Sequence, residues 1–204
     1  MKKIISFVLL LSIVACLAAC SNDSVDGTEA TSALTEASTV AETTVAVPTD
    51  IPRLVSGDYA FSVSNGEATV IEFVGDLTGR GRGYELVIPE TVEGYPVVAL
   101  GDYCFELSIS LGSIKIPSGV TKIGVGAFKN CWKLDNVEIP DSVTTIEKSA
   151  FEECHILTSI DIPDSVTSIG EKALTSTYGL TVNCSVGSYA EEYAKANGIN
   201  CVTE

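Results

Sequence analysis

Along the second half of the chain the apolar positions return with a period of 23 residues. Ile116-Pro117, Ile139-Pro140 and Ile162-Pro163 mark the period, and parallel columns run behind them. One column is Val120, Val143 and Val166; a second is Ile123, Ile146 and Ile169; Ala127-Phe128 and Ala150-Phe151 are answered by Ala173-Leu174. Leu111, Leu134, Leu157 and Leu180 close the unit, followed by Ile114, Val137 and Ile160. The copies span Leu111–Lys133, Leu134–Ile156 and Leu157–Gly179, and Tyr84–Ser110 is a degenerate first copy. It carries Ile88-Pro89, a short insertion around Gly94-Tyr95-Pro96, and then Leu100, Cys104 and Phe105 in step. A period this long is that of a stacked repeat.

Each position has a physical task. Leu-x-x-Ile-x-Ile alternates at its end, which suits a short strand with one buried face. The following Pro removes a backbone donor and stops the ladder. Asp141-Ser142 and Asp164-Ser165 are turn formers with solvent-facing serines. Val-x-x-Ile turns the chain back, and Ile-Gly leads into a compact helical or irregular segment ending in Ala-Phe. The alanine column must be small because successive coils approach closely there, and Cys104 fills it in the first copy as a small hydrophobe. Burying about seven apolar side chains per unit does not offset the ordering of a whole coil's backbone, so the copies must stack.

The flanks read as caps for the exposed end coils. Tyr59–Ser64 and Ala68–Phe73 are strand-like runs joined by the hairpin signal Asn65-Gly66-Glu67. At the other end Ser188-Tyr189-Ala190-Glu191 is a capping-box pattern opening a helix through Asn197, with Gly198 as its stop. Tyr189, Ala190, Tyr193 and Ala194 lie at helical spacing and can plug the last coil, and a final short strand is expected at Ile199–Val202.

The repeat pattern Leu-x-x-Ile-x-Ile-Pro-x-x-Val-x-x-Ile-Gly-x-x-Ala-Phe-x-x-Cys-x-x-Leu resembles the BspA-like leucine-rich repeats of bacterial surface proteins. The resemblance covers about Tyr84 to Leu180, with departures at Ser108, Glu147 and Leu174, all packing positions. It implies a curved solenoid with one short parallel strand per coil, so that with the 23-residue period and the flanks read above the expected fold is an α/β repeat solenoid of the leucine-rich repeat class with an N-terminal β-hairpin cap and a C-terminal helical cap. It also implies a surface-exposed protein that binds other proteins or cell surfaces, with no catalytic residues to carry over.

The N-terminus is an address. Lys2 and Lys3 precede the apolar run Ile4–Ala15, which is too short to span a bilayer comfortably. Leu17-Ala18-Ala19-Cys20 resembles the lipobox of bacterial lipoproteins, which implies cleavage before Cys20, a diacylglyceryl thioether on its sulfur and, in many bacteria, an acylated amino group. The alternative is a plain signal peptide cleaved near Ala19. Residues 1–19 are thus expected to be the signal and 20–52 a lipidated Cys with a disordered tether. Ser21–Pro52 holds 11 Ser or Thr among 32 residues, six carboxylates and no Lys or Arg. The N-terminal β cap then occupies 53–83, the repeats 84–180 and the C-terminal cap 181–204.

Composition narrows the function classes. With 204 residues, 46% apolar and 19% charged, a packed domain is feasible. Lys and Arg total 12 against 27 Asp and Glu, a net charge of −15, so phosphate backbones are repelled and nucleic acid is not an expected partner. The single His, His155, would have to carry any His-based catalysis alone. No G-x-S-x-G occurs, Glu152-Glu153 lies in a repeat turn, and no C-x-x-C or H-x-x-x-H spacing offers a zinc site. Arg80-Gly81-Arg82-Gly83 lacks the following helix N-terminus of a phosphate cradle and reads as a solvated loop. No catalytic residue, metal ligand or cofactor is expected. Cys104, Cys131, Cys154, Cys184 and Cys201 read as an odd set of buried reduced thiols; if any bridge forms, Cys184 with Cys201 across the C-terminal cap is the preferred pair.

Two surfaces are candidates for binding. The positions after the cysteine column, small and polar in the resembled family, hold Ile109, Trp132 and His155, with Lys133 and Ile156 beside them. Stacked, they would form a ridge of the kind that supplies interaction hot spots. The competing explanation is that Trp132 packs down on Lys129 or Lys133 and touches no partner. The second surface is the outward strand face, with Lys115, Glu138 and Asp161 among its residues. The expected partners are proteins or host and matrix surface components; the rival expectation is a spacer or assembly subunit of the bacterial envelope.

Overall fold

The computed structural model describes residues 51–76, 84–175 and 179–203, with the backbone alone for 51 and 52. The signal, Cys20, nearly all of the tether and the Arg80-Gly81-Arg82-Gly83 loop lie outside the described residues. The first elements are β1 (Ile51–Ser56), β2 (Tyr59–Ser64) and β3 (Glu67–Phe73), an antiparallel meander. Asn65 and Gly66 both take positive φ, 53° and 81°, as the tight turn of the hairpin requires. β1 adds a third strand to the expected hairpin.

The repeats follow as β4 (Glu85–Val87), β5 (Thr91–Val92), β6 (Tyr95–Leu100), β7 (Ser113–Lys115), β8 (Lys122–Ile123), β9 (Asn136–Glu138), β10 (Thr145–Ile146), β11 (Ser159–Asp161) and β12 (Ser168–Ile169). They build a solenoid. On one side β4, β7 and β9 pair in parallel, placing Leu86, Ile114 and Val137 in one inward row. β11 packs beside β9 and continues through β13 (Thr181–Cys184) to β14 (Asn200–Thr203), aligning Ile160, Val182 and Cys201. The sequence predicts this strand. Each full coil also has a second, two-residue strand, and β3, β6, β8, β10 and β12 form a parallel ladder of their own. The Val-x-x-Ile segment that turns the chain back is therefore itself paired, coil to coil. The insertion in the first copy is a small hairpin, β5 against β6, turned at Glu93 and Gly94.

The third side of each coil is a run of turns, yet its backbone is paired as regularly as a sheet. Phe105, Phe128 and Phe151 each donate an N–H to the alanine carbonyl of the next coil at 2.8 Å. Left-handed residues recur here once per coil, at Tyr103, Gly126, Ser149 and Lys172, and again at Leu107, Asn130 and Glu153. Close approach explains the glycine ahead of this side. A Cβ on Gly124 would fall 2.6 Å from the carbonyl carbon of Gly101 one coil below.

The core is built of columns. Phe105, Phe128 and Phe151 stack with centroids 5.2 and 5.1 Å apart and rings tilted by only 10°. Phe73 from the cap extends the stack at 5.8 Å, and Leu174 ends it. The thiols of Cys131 and Cys154 donate to the Phe105 and Phe128 carbonyls of the preceding coils at 3.1 and 3.2 Å. Burial raises these thiols, Cys154 to about 12, and it raises Cys104 as well. Thiols held this far from ionisation are unreactive. The turn serines differ from expectation. Ser142 and Ser165 are half-buried and donate to the Val120 and Val143 carbonyls of the preceding coils at 2.6 and 2.7 Å. Stacking brings a carbonyl of the preceding coil under each hydroxyl.

At the C-terminal end α1 (Tyr189–Asn197) lies over the last coil with Ala190 and Ala194 buried. Ser188 Oγ accepts from the Glu191 N–H, and Gly198 closes the helix at φ 67°. Glu191 reaches back to the Gly187 N–H at 2.7 Å, one residue before the position a regular capping box uses. Tyr193 donates its hydroxyl to the Gly170 carbonyl at 3.2 Å, whereas Tyr189 turns to solvent. Ser188→Ala is expected to cost about 1 kcal/mol and lower the melting temperature by about 2–4 °C, measured by thermal circular dichroism.

Candidate binding surface

The ridge follows from a repeated tight turn. The N–H of Leu134 donates to the Cys131 carbonyl, that of Leu157 to the Cys154 carbonyl and that of Leu111 to the Ser108 carbonyl, at 3.0–3.2 Å. In such a turn the two central residues have no inward side, so Trp132-Lys133, His155-Ile156 and Ile109-Ser110 project outward. Ile109 and Trp132 are each 49% exposed and Ile156 is 47% exposed. The Trp132 and His155 rings face each other across one coil step, centroids 6.0 Å apart and planes at 34°. His155 Nε2 lies 3.5 Å from Glu153 Oε2.

Lys129 does not lend its ammonium to Trp132. It pairs with Glu152 at 2.7 Å, and this hydrogen bond raises the lysine and holds the Glu152 carboxyl below its ordinary value.

Two exposed residues of the first coil extend the apolar surface and escaped the sequence reading. Tyr103 is 52% exposed and Leu107 is 60% exposed. Both hold positive φ, 58° and 60°, at columns that carry Gly126 and Asn130 in the next coil. The same left-handed backbone recurs at Ser149, Lys172 and Glu153, so it belongs to the repeat, and what sets this coil apart is the size of the two side chains. The Tyr103 ring lies over Gly126, where any Cβ would come within 2.6 Å of it. Beside Leu107 and Ile109 an open cleft of about 340 Å³ runs to Phe73 and Gly75 of the cap.

The strand face has another character. Lys115 bonds Glu138 at 2.8 Å, which raises the lysine, and Asp161 accepts from Asn183 at 2.6 Å. At its end an open cleft of about 670 Å³ is lined by Asp141, Asp161, Asp164 and Ser165. The predicted residues Lys115, Glu138 and Asp161 thus share one polar face, largely engaged with its own neighbours, and stand in a different part of the coil from the turn residues. Among the described residues no group of three or more His, Cys, Asp and Glu side chains is placed to hold a metal ion. No helix among them is long and apolar enough to cross a membrane.

Comparison with known proteins bears on the whole arrangement. A leucine-rich repeat protein from Bacteroides capillosus ATCC 29799 is 29% identical, with a TM-score of 0.57 over 65% of this chain and 97% of that one. One from Bacteroides ovatus ATCC 8483 is 28% identical, with a TM-score of 0.52 over 65% and 41%. The T. pallidum leucine-rich repeat protein, 24% identical with a TM-score of 0.52 over 64% and 70%, shares the fold. No curated protein matches the chain. The BspA type Leucine rich repeat region matches residues 87–192 in six copies. With the coil period, the paired ladders and the phenylalanine stack already in place, this match shows that the chain belongs to the BspA-type leucine-rich repeat family.

Proposed function

We propose that this is a bacterial surface protein, held to the membrane by a lipid on Cys20, whose capped solenoid binds other proteins through its turn ridge. Leucine-rich repeat proteins of this kind are generally binding scaffolds rather than enzymes, which supports the class. The observation that carries the site is the half-exposed Trp132 set against His155, flanked along the column by Ile109 and at the turn by Ile156. Exposed aromatic and aliphatic groups in one row are the material of interaction hot spots. The export address and the lipobox supply the location, and host matrix proteins or other surface proteins are the partners in reach.

The test is capture by the full-length protein, in detergent, from two pools: host matrix components and the producing cell's own envelope extract. Trp132→Ala should weaken host binding by about 30-fold, the value of a 2 kcal/mol hot spot, while Lys115→Ala leaves it within about twofold. Equal binding by both variants would move the site off the ridge. Selective capture of the cell's own envelope proteins would replace adhesion with an assembly role.

A further inference from the structure

We propose that Cys184 and Cys201 are a cross-linking site, at which oxidation by a disulfide-bearing donor joins the two sulfurs and locks the C-terminal cap onto the last coil. This stands apart from the binding reading and uses none of the ridge residues.

The five cysteines of the described residues fall into two sets. Cys104, Cys131 and Cys154 are buried in the turn-side columns, and the thiols of the latter two are spent on backbone carbonyls. Cys184 and Cys201 sit in neighbouring parallel strands of the opposite ladder. Cys201 is in register with Val182, and Cys184 is two residues further along, so both side chains leave the sheet on the same face. That face is the core side, since Val182 is fully buried and Cys184 nearly so. Their sulfurs are 3.1 Å apart, already in contact and about 1 Å from bonding distance. Cys201 alone among the five is partly exposed, so a reagent can reach it.

The step balances as thiol–disulfide exchange. Burial and the neighbouring Cys184 raise Cys201 to about 11, so its thiolate fraction is small at neutral pH and the exchange quickens as pH rises; that thiolate attacks the donor's S–S bond, forming a mixed disulfide and expelling one donor thiol. The Cys184 thiolate then attacks Cys201 Sγ, forming the Cys184–Cys201 bond and expelling the second donor thiol. The pair loses two protons and two electrons, and the donor is reduced to two thiols.

The position gives the bond a task. Between the two cysteines lie the Gly187 turn, α1 and the start of β14, the whole covering of the last coil. β14 pairs with β13 on one edge only, and end elements of a solenoid open first. A bond from β13 to β14 closes this segment into a loop that cannot peel.

The experiment treats full-length protein with oxidised glutathione, alkylates the remaining thiols and maps peptides without reduction. The expected result is one linked peptide pair containing Cys184 and Cys201, alkylated Cys104, Cys131 and Cys154 after unfolding, and a melting temperature raised by about 5–10 °C over the reduced protein. Cys201→Ser and Cys184→Ser should each abolish the link and the rise while melting with reduced wild type. Both thiols alkylated, a persistent glutathione adduct on Cys201, a link to another cysteine, or a rise that survives in Cys201→Ser would overturn the assignment. A Cys184–Cys201 link without a rise would overturn the locking role.

Discussion

Phe128→Ala should lower the melting temperature by roughly 6–20 °C, whereas Phe128→Leu should cost only a small part of that. The Phe128 ring is fully buried and held between Phe105 and Phe151 at 5.2 and 5.1 Å, so truncation opens a cavity bounded by two rigid rings. The coils cannot close over it. Their separation is fixed by backbone bonds on every side, including Phe105 N–H to the Ala127 carbonyl and Phe128 N–H to the Ala150 carbonyl. Aromatic truncations in such sites cost about 3–5 kcal/mol, and a domain of this size loses about 2–4 °C per kcal/mol. Leucine already fills the column at Leu174, fully compatible with the same backbone turn. A leucine at 128 retains most of the buried volume, and a cost of about 1–1.5 kcal/mol is expected. Thermal and denaturant melts of the two variants decide it; equal losses would mean that ring stacking, not volume, sets the column's stability.

Removing Leu134–Ile156, one full period, should leave a folded protein that is shorter by one coil. The deletion joins Lys133 to Leu157 and brings each row back into register: Ile114 above Ile160, Ile123 above Ile169, Phe128 above Leu174. The strand ladders across the removed coil have equivalents on the new neighbour, whereas the Lys122–Glu147 and Lys129–Glu152 pairs are lost. The transition should stay cooperative with a lower midpoint, and the denaturant m-value should fall by roughly one seventh, in proportion to the surface no longer exposed on unfolding. Removing Leu134–Ile146 instead should abolish the cooperative transition. It runs the turn-side segment of the second coil directly into that of the third with no strand between them, so ladders and columns alike lose their partners. A half-coil variant that melts cooperatively would refute the strict period.

The period was legible because each column repeats one residue type: isoleucine before proline, valine after it, Ala-Phe on the turn side. Both caps were legible for local reasons, Asn65-Gly66 at one end and Ser188 with Gly198 at the other. What the chain concealed depends on stacking. The ladder through β8, β10 and β12 uses two residues per coil, as in Thr145-Ile146, too few to show an alternation. The hydroxyls of Ser142 and Ser165 and the thiols of Cys131 and Cys154 find their acceptors one coil away, which no local pattern encodes. At the candidate surface, the outward turn positions of Trp132 and His155 could be counted off the repeat. The exposed Tyr103 and Leu107 could not, because their left-handed backbone is imposed by the turn-side ladder and runs against what those residues prefer alone.

The pairing pattern also determines how the head bears load. Its hydrogen bonds run from coil to coil, along the stacking direction, and each ladder contributes two to four residues per step. Tension applied between the two caps would therefore pull on these bonds lengthwise and one layer at a time, rather than shearing many together. Such a head yields like a zipper, in steps of one coil and at modest force, lengthening gradually where a sandwich of long strands would hold and then snap.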